Sequence, residues 1–174
     1  MTRTALAFFL FALVVSGGVA APTSRAQDGL AGNWKLASSN AEASQRRTAI
    51  QTATQDLPSF MRSRARERLE ERTTPPRELR IVAAGDQVEL TSSGQPFHLT
   101  VGGPAVPVES EGRGGRAQAT RRDGNLVVTL QGDNGERTTT YRLFDDGQRL
   151  VLDVDFTAQR LSTPVRYRVT YNRS

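Results

Sequence analysis

Arg149-Leu150-Val151-Leu152-Asp153-Val154-Asp155-Phe156, followed after a short break by Val165-Arg166-Tyr167-Arg168-Val169-Thr170-Tyr171, is a pair of runs alternating apolar with polar residues. Facing residues of an antiparallel pair keep a constant sum of residue numbers. One register sets Val154 against Tyr167, Leu152 against Val169 and Leu150 against Tyr171. It also sets Asp155 against Arg166 and Asp153 against Arg168 on the other face. A slip of one residue would turn the apolar set outward, so the pattern specifies its own pairing. Two aspartates two residues apart can signal acid–base chemistry. Here each has a facing arginine, and the four read as a solvent-facing charge ladder worth about 0.2–1 kcal/mol per pair.

The same arithmetic extends upstream. Leu143 falls opposite Leu150, Tyr141 opposite Leu152 and Thr139 opposite Val154; in the preceding hairpin Leu126 falls opposite Tyr141 and Val128 opposite Thr139. One inner face satisfies all three hairpins: Leu126, Val128, Tyr141, Leu152, Val154, Tyr167, Val169 and Tyr171 are its candidate lining. Turn signals at Ala84-Gly85-Asp86, Ser93-Gly94, Asp123-Gly124, Asp133-Asn134-Gly135 and Asp145-Asp146-Gly147 separate further alternating runs. The expected class is mainly β, an up-and-down antiparallel β-barrel of about eight to ten strands, because successive hairpins leave edges that closure removes. The stretch Glu111-Gly112-Arg113-Gly114-Gly115 reads as a mobile loop.

Between a first strand at Gly32-Asn33-Trp34-Lys35-Leu36 and Leu79 the period changes. Ser39 and Glu42 have capping-box spacing and start a helix over about 40–55. Leu57, Phe60, Met61, Ala65 and Leu69 recur at helical spacing, and Pro75-Pro76 ends a second helix over about 58–72. This two-helix insert, about 40–72, is expected to close one barrel end through Phe60, Met61 and Leu69 as a lid that the barrel does not need for folding. Arg62, Arg64, Arg66 and Arg68 crowd the second helix. They are a candidate face for transient contact with an anionic membrane, or a solvated face balanced by Glu67, Glu70 and Glu71.

The N-terminus has one charge at Arg3, an apolar run from Ala5 to Val15 and small residues to Ala21. That is the order of a cleavable export signal, too short in its apolar part to span a membrane. Cleavage after Ala26 avoids the proline that follows Ala21. Residues 1–26 are therefore expected to be removed and 27–174 to form one domain in the periplasm or outside the cell. The chain has no cysteine, so packing alone must hold it together. Removal of Arg3 and Arg25 lowers the formal net charge from +5 to +3. That modest excess, without an aromatic-plus-basic stripe, argues against nucleic acid as a partner.

Gly32-x-Trp34-Lys35-Leu36, the two helices after the first strand, Gly85-Asp86-Gln87-Val88 and a C-terminal meander ending Tyr171-Asn172-Arg173 together resemble the calycin barrels. The order of elements is similar to that of the intracellular fatty-acid-binding proteins, and the export signal fits small exported bacterial lipocalin-like proteins better. The resemblance implies a lipocalin-like domain, with Trp34 sealing the closed end and a C-terminal arginine, here Arg173, against its ring. It also implies an interior carboxylate grip. The matching positions are Tyr141, Val169 and Tyr171, of which only the tyrosine is kept, and Arg142, Arg166 and Arg168 point outward by parity.

No nucleophile motif, phosphate loop or calcium loop occurs. His98, the only histidine, alternates to the outer face. No catalytic set, metal site or cofactor is implied. The leading expectation is a monomeric binding module, not an enzyme, for a small hydrophobic molecule. The alternative is an interaction protein with a filled barrel, such as a barrel-type protease inhibitor or an envelope-associated factor.

Overall fold

The alternation is realised as pairing. The computed structural model describes residues 29–92, 96–110 and 113–174; the export signal, the Ser93-Gly94 turn and Glu111-Gly112 lie outside them. The strands are β1 (Gly32–Leu36), β2 (Glu78–Ala84), β3 (Gln87–Thr91), β4 (Phe97–Thr100), β5 (Val106–Ser110), β6 (Arg113–Arg122), β7 (Asn125–Gly132), β8 (Gly135–Phe144), β9 (Arg149–Ala158) and β10 (Val165–Arg173). They form one antiparallel sheet in the order β4-β3-β2-β1-β10-β9-β8-β7-β6-β5. Each strand neighbours its successor except at two places: β1 pairs with β10, and the sheet's ends, β4 and β5, leave a seam. The seam is partly sewn by β6. Val101 bridges Ala119, Gly102 N–H donates to Ala119 O at 2.8 Å, and Gln118 Nε2 donates to Gly103 O at 3.0 Å. The barrel is thus nearly closed.

All three derived registers hold: Val154 faces Tyr167, Tyr141 faces Leu152 and Leu126 faces Tyr141. Arg166 Nε lies 2.7 Å from Asp155 and Arg168 Nε 2.9 Å from Asp153, which also meets Arg142 at 3.2 Å. His98 is exposed, with Nδ1 3.4 Å from Glu89. The glycine-rich stretch departs from expectation. Gly114 and Gly115 lie in β6, paired with Glu109 and Val108. Crowding explains the second of them: a Cβ on Gly115 would sit 2.8 Å from Gln131 O on β7.

The insert folds as α1 (Asn40–Ala53) and α2 (Ser59–Thr73). Ser39 and Glu42 form the capping box, with Glu42 N–H donating to Ser39 Oγ and Ser39 N–H to Glu42 Oε2. α1 packs on β10: Ile50 and Ala53 are buried in the same apolar cluster as the barrel interior, and Thr170 Oγ1 donates to Glu42 Oε1 at 2.6 Å. α2 is held mainly through α1. Arg46 donates to Glu70 O and Thr73 Oγ1, and Arg66 Nε to Thr54 Oγ1. Ile50 is 0% exposed whereas Phe60 is 83% exposed. The expectation of a wholly dispensable insert is therefore corrected: α1 completes the core, and only α2 has the loose attachment of a lid.

The opposite end is sealed. Trp34 is fully buried and its Nε1 donates to Leu30 O at 3.0 Å. The Arg173 guanidinium lies 4.4 Å from the indole centroid, as the resemblance implied. It also donates to three backbone carbonyls: Gly147 at 2.7 Å, Ala31 at 2.8 Å and Gly29 at 2.6 Å. Gly32, at φ +150°, leaves room for that guanidinium; a Cβ there would collide with Arg173.

Candidate ligand-binding site

All eight expected lining residues are buried. They do not all reach open space. An interior cavity of about 90 Å³ is bounded by Val128, Tyr141, Leu152, Val169 and Tyr171, together with Leu79, Leu90, Phe97 and Leu130. Leu126, Val154 and Tyr167 are packed among side chains and do not border it. Much of the barrel is thus filled by its own residues, as the narrow bore of a small barrel dictates. Pro75 and Pro76, the segment that ends the insert, cap the cavity, and Tyr171 Oη donates to Pro76 O at 3.0 Å.

Of the three lid residues, Leu69 is buried, Met61 is half-buried and Phe60 does not reach the barrel. Phe60 is corrected from lid contact to solvent-facing side chain, because α2 turns Leu69 and Thr73 inward. The arginines of α2 are split in the same way. Arg62 Nε donates to Leu57 O at 2.9 Å and Arg66 to Thr54, so both tie α2 to the turn before it. Arg64 and Arg68 are exposed.

One residue of the site goes beyond the expected lining. Arg137 pairs with Leu130 on β7 and with Phe156 on β9, so it stands on the inner face. The registers that place Thr139 and Tyr141 inside place Arg137 inside too, and this was the available signal. Its side chain borders the interior cavity. It also borders a second, more open cavity of about 170 Å³ at the helix end of the barrel, where Arg72 of α2, Val108, Leu130 and Phe156 meet the β7–β8 turn. Arg137 Nε is buried and has no hydrogen-bond partner.

The guanidinium shapes its surroundings. Burial raises the pKa of Tyr141, Tyr167 and Tyr171 above the ordinary value, and the positive charge of Arg137 opposes that rise in each case. Desolvation wins, so the three hydroxyls remain neutral. The arrangement is a hydrophobic chamber with a cation at its upper rim and phenol groups below it. The residues bordering the interior cavity include no carboxylate and no histidine, so the chamber is built for binding and holds no general base. Among the described residues, no three histidine or acidic side chains converge as metal ligands would.

No protein-family model matches the chain, and no curated protein matches it in sequence. Solved structures match in shape. A secretory abundant heat soluble protein from Ramazzottius varieornatus superposes with a TM-score of 0.56 at 14% identity, over 84% of this chain and 96% of that one. The fold is that of a calycin-type β-barrel. The Schistosoma mansoni fatty-acid-binding protein in complex with arachidonic acid matches with a TM-score of 0.50 at 14% identity, over 86% of this chain and 98% of that one. A point mutant of the fluorescent protein UnaG matches at 0.52 with 18% identity, over 84% and 97%. These identities establish a shared barrel and helix pair.

Proposed function

We propose that this protein is an exported calycin-type binding module that holds a small hydrophobic molecule inside its barrel. The observation that supports this reading most is the enclosed cavity itself. Leu79, Leu90, Phe97, Val128, Leu152 and Val169 surround space that side chains do not fill, and two tyrosines give it a polar side. A barrel acting only through its outer surface gains nothing from retaining such a void, because unfilled volume costs packing energy. Export follows from the leader-like N-terminus and fits a chain stabilised without cysteine. The matched fatty-acid-binding protein and fatty acid transporter are barrels of this shape, which agrees with an interior ligand.

Size constrains the ligand. A cavity of about 150 Å³ accepts a benzene-sized guest. The interior cavity, at about 90 Å³, accepts less unless the mouth above it contributes. The reading therefore favours a short chain or a single ring over a long extended acyl chain. Displacement of an environment-sensitive apolar dye from the mature protein tests it. The dye should bind with one-to-one stoichiometry, and Leu152→Trp, which fills the chamber, should abolish binding while the fold persists. Undiminished dye binding to Leu152→Trp would place the dye on the surface and refute an interior site.

A further inference from the structure

Arg137 is a costly residue for this barrel. A cation on the inner face gives up hydration, and a buried polar atom without a partner costs about 1–3 kcal/mol. Elsewhere the inner face accommodates its polar groups. Thr73 Oγ1 donates to Leu69 O and Tyr171 Oη to Pro76 O. The outer arginines of the last strands have carboxylates: Arg142 and Arg168 share Asp153, and Arg166 meets Asp155. Among the described residues, the orphaned Nε belongs to the arginine that borders both the interior cavity and the mouth. Arg72, on the loosely held helix, contributes a second guanidinium to the mouth.

We infer that Arg137 and Arg72 form a subsite for an anionic head group at the helix end of the barrel, so that the ligand is a small anionic amphiphile seated head outward with its apolar part toward Tyr141 and Tyr171. This rests on the interior-binding reading and specifies its ligand class. Three features support it. Arg137 sits at the junction of an apolar chamber below and a wider, more polar mouth above, which is where head and tail of such a molecule divide. The tyrosines of the chamber stay neutral and stand near a positive charge, so the local field favours an anion. Arg72 comes from α2, the element with fewest ties to the barrel. An anion held by both guanidiniums would bind the lid to the β7–β8 rim and slow ligand escape. Guanidinium pairs suit carboxylate and phosphate oxygens alike, because the planar fork can donate two parallel hydrogen bonds.

Isothermal titration of the full mature chain with four probes of one tail length tests this: octanoate, octyl phosphate, octanol and octylamine. The two anions should bind at least about tenfold more tightly than octanol, the scale of one charge-assisted contact. Octylamine should bind most weakly. Octanoate tighter than octyl phosphate, or the reverse, would assign the head group between carboxylate and phosphate. Arg137→Gln should bring octanoate down to the level of octanol, Arg137→Lys should retain part of the preference, and Arg72→Gln should cost a smaller factor. Arg142→Gln removes the same charge from the outer face of β8 and should change nothing. Arg137→Met should raise the melting temperature of the ligand-free chain, because it removes an unpaired polar group. Equal affinity for octanol and octanoate, or an unaltered preference in Arg137→Gln, would overturn the anion subsite and leave the hydrophobic chamber standing. An Arg72→Gln variant without effect would overturn the head-outward orientation. Failure of all four probes to bind would overturn the chamber and the subsite together.

Discussion

Removing Trp34 and Arg173 singly and together measures how the closed end is held. Trp34 is fully buried, and its loss leaves a void at the end of the core, so Trp34→Ala should cost about 3–5 kcal/mol. Arg173 does two separable things. Its stacking on the indole at 4.4 Å is worth roughly 0.5–2 kcal/mol. Its three bonds to the carbonyls of Gly147, Ala31 and Gly29 fasten the 29–31 segment across the barrel end. A charge-assisted bond contributes about 1.5–3 kcal/mol when well buried. The side chain is half-buried here, so about 2–4 kcal/mol in all is the reasonable expectation for Arg173→Ala. In the Trp34→Ala background the carbonyl bonds persist and only the stacking is lost. The double mutant should therefore fall short of additivity by about 0.5–2 kcal/mol. Urea denaturation followed by far-ultraviolet circular dichroism is the suitable assay, since the variant lacks the chain's only tryptophan. Strict additivity would mean that the stacking contributes nothing. Complete loss of the Arg173 effect in the Trp34→Ala background would mean that the carbonyl bonds contribute nothing.

Ile50→Ala in α1 should cost about 2–5 kcal/mol in the same assay, whereas Phe60→Ser in α2 should stay within about 0.5 kcal/mol, separating the helix that completes the core from the one that covers it. The tyrosines make the barrel sensitive to alkali. Their folded pKa values are raised above the ordinary 10.0, so the stabilisation of the neutral form is complete below pH 10 and is lost as pH rises through the folded values. Stability should fall above pH 10, and Tyr141→Phe should reduce that slope in a pH series of urea melts. Asp155→Asn should cost no more than about 0.2–1 kcal/mol and should lose its effect in high salt, because Arg166 opposite it is largely exposed.

The register of β7 to β10 was legible because alternation has only two phases, and the wrong phase would expose Leu150, Leu152 and Val154 together. The capping box at Ser39 and Glu42 likewise marked the start of α1 by a local bond that needs no tertiary information. What stayed hidden depends on how elements meet in space. Gly114 and Gly115 read as loop residues, yet both pair within β6, and at Gly115 the neighbouring β7 approaches too closely for a Cβ. Phe60 and Leu69 both fit the apolar spacing of a helix, and only docking through α1 decides that Leu69 is covered and Phe60 is not. Arg137 obeys the parity rule that puts Tyr141 inside. A charged side chain at an inward position contradicts the binary pattern, so the functional residue is the one that local rules disfavour. The cavity and its mouth depend on side-chain volumes across five or more strands, which no local pattern encodes.

The central claim is that the barrel holds a small hydrophobic molecule. Native mass spectrometry of the mature protein, exported and purified from its own host without detergent, measures this directly. The account predicts a discrete added mass of one small molecule per chain. It should be released on denaturation and be absent from a Leu152→Trp variant purified in parallel. A bare chain that also fails to take up any apolar probe added in excess would contradict the claim and leave a filled barrel that acts through its surface.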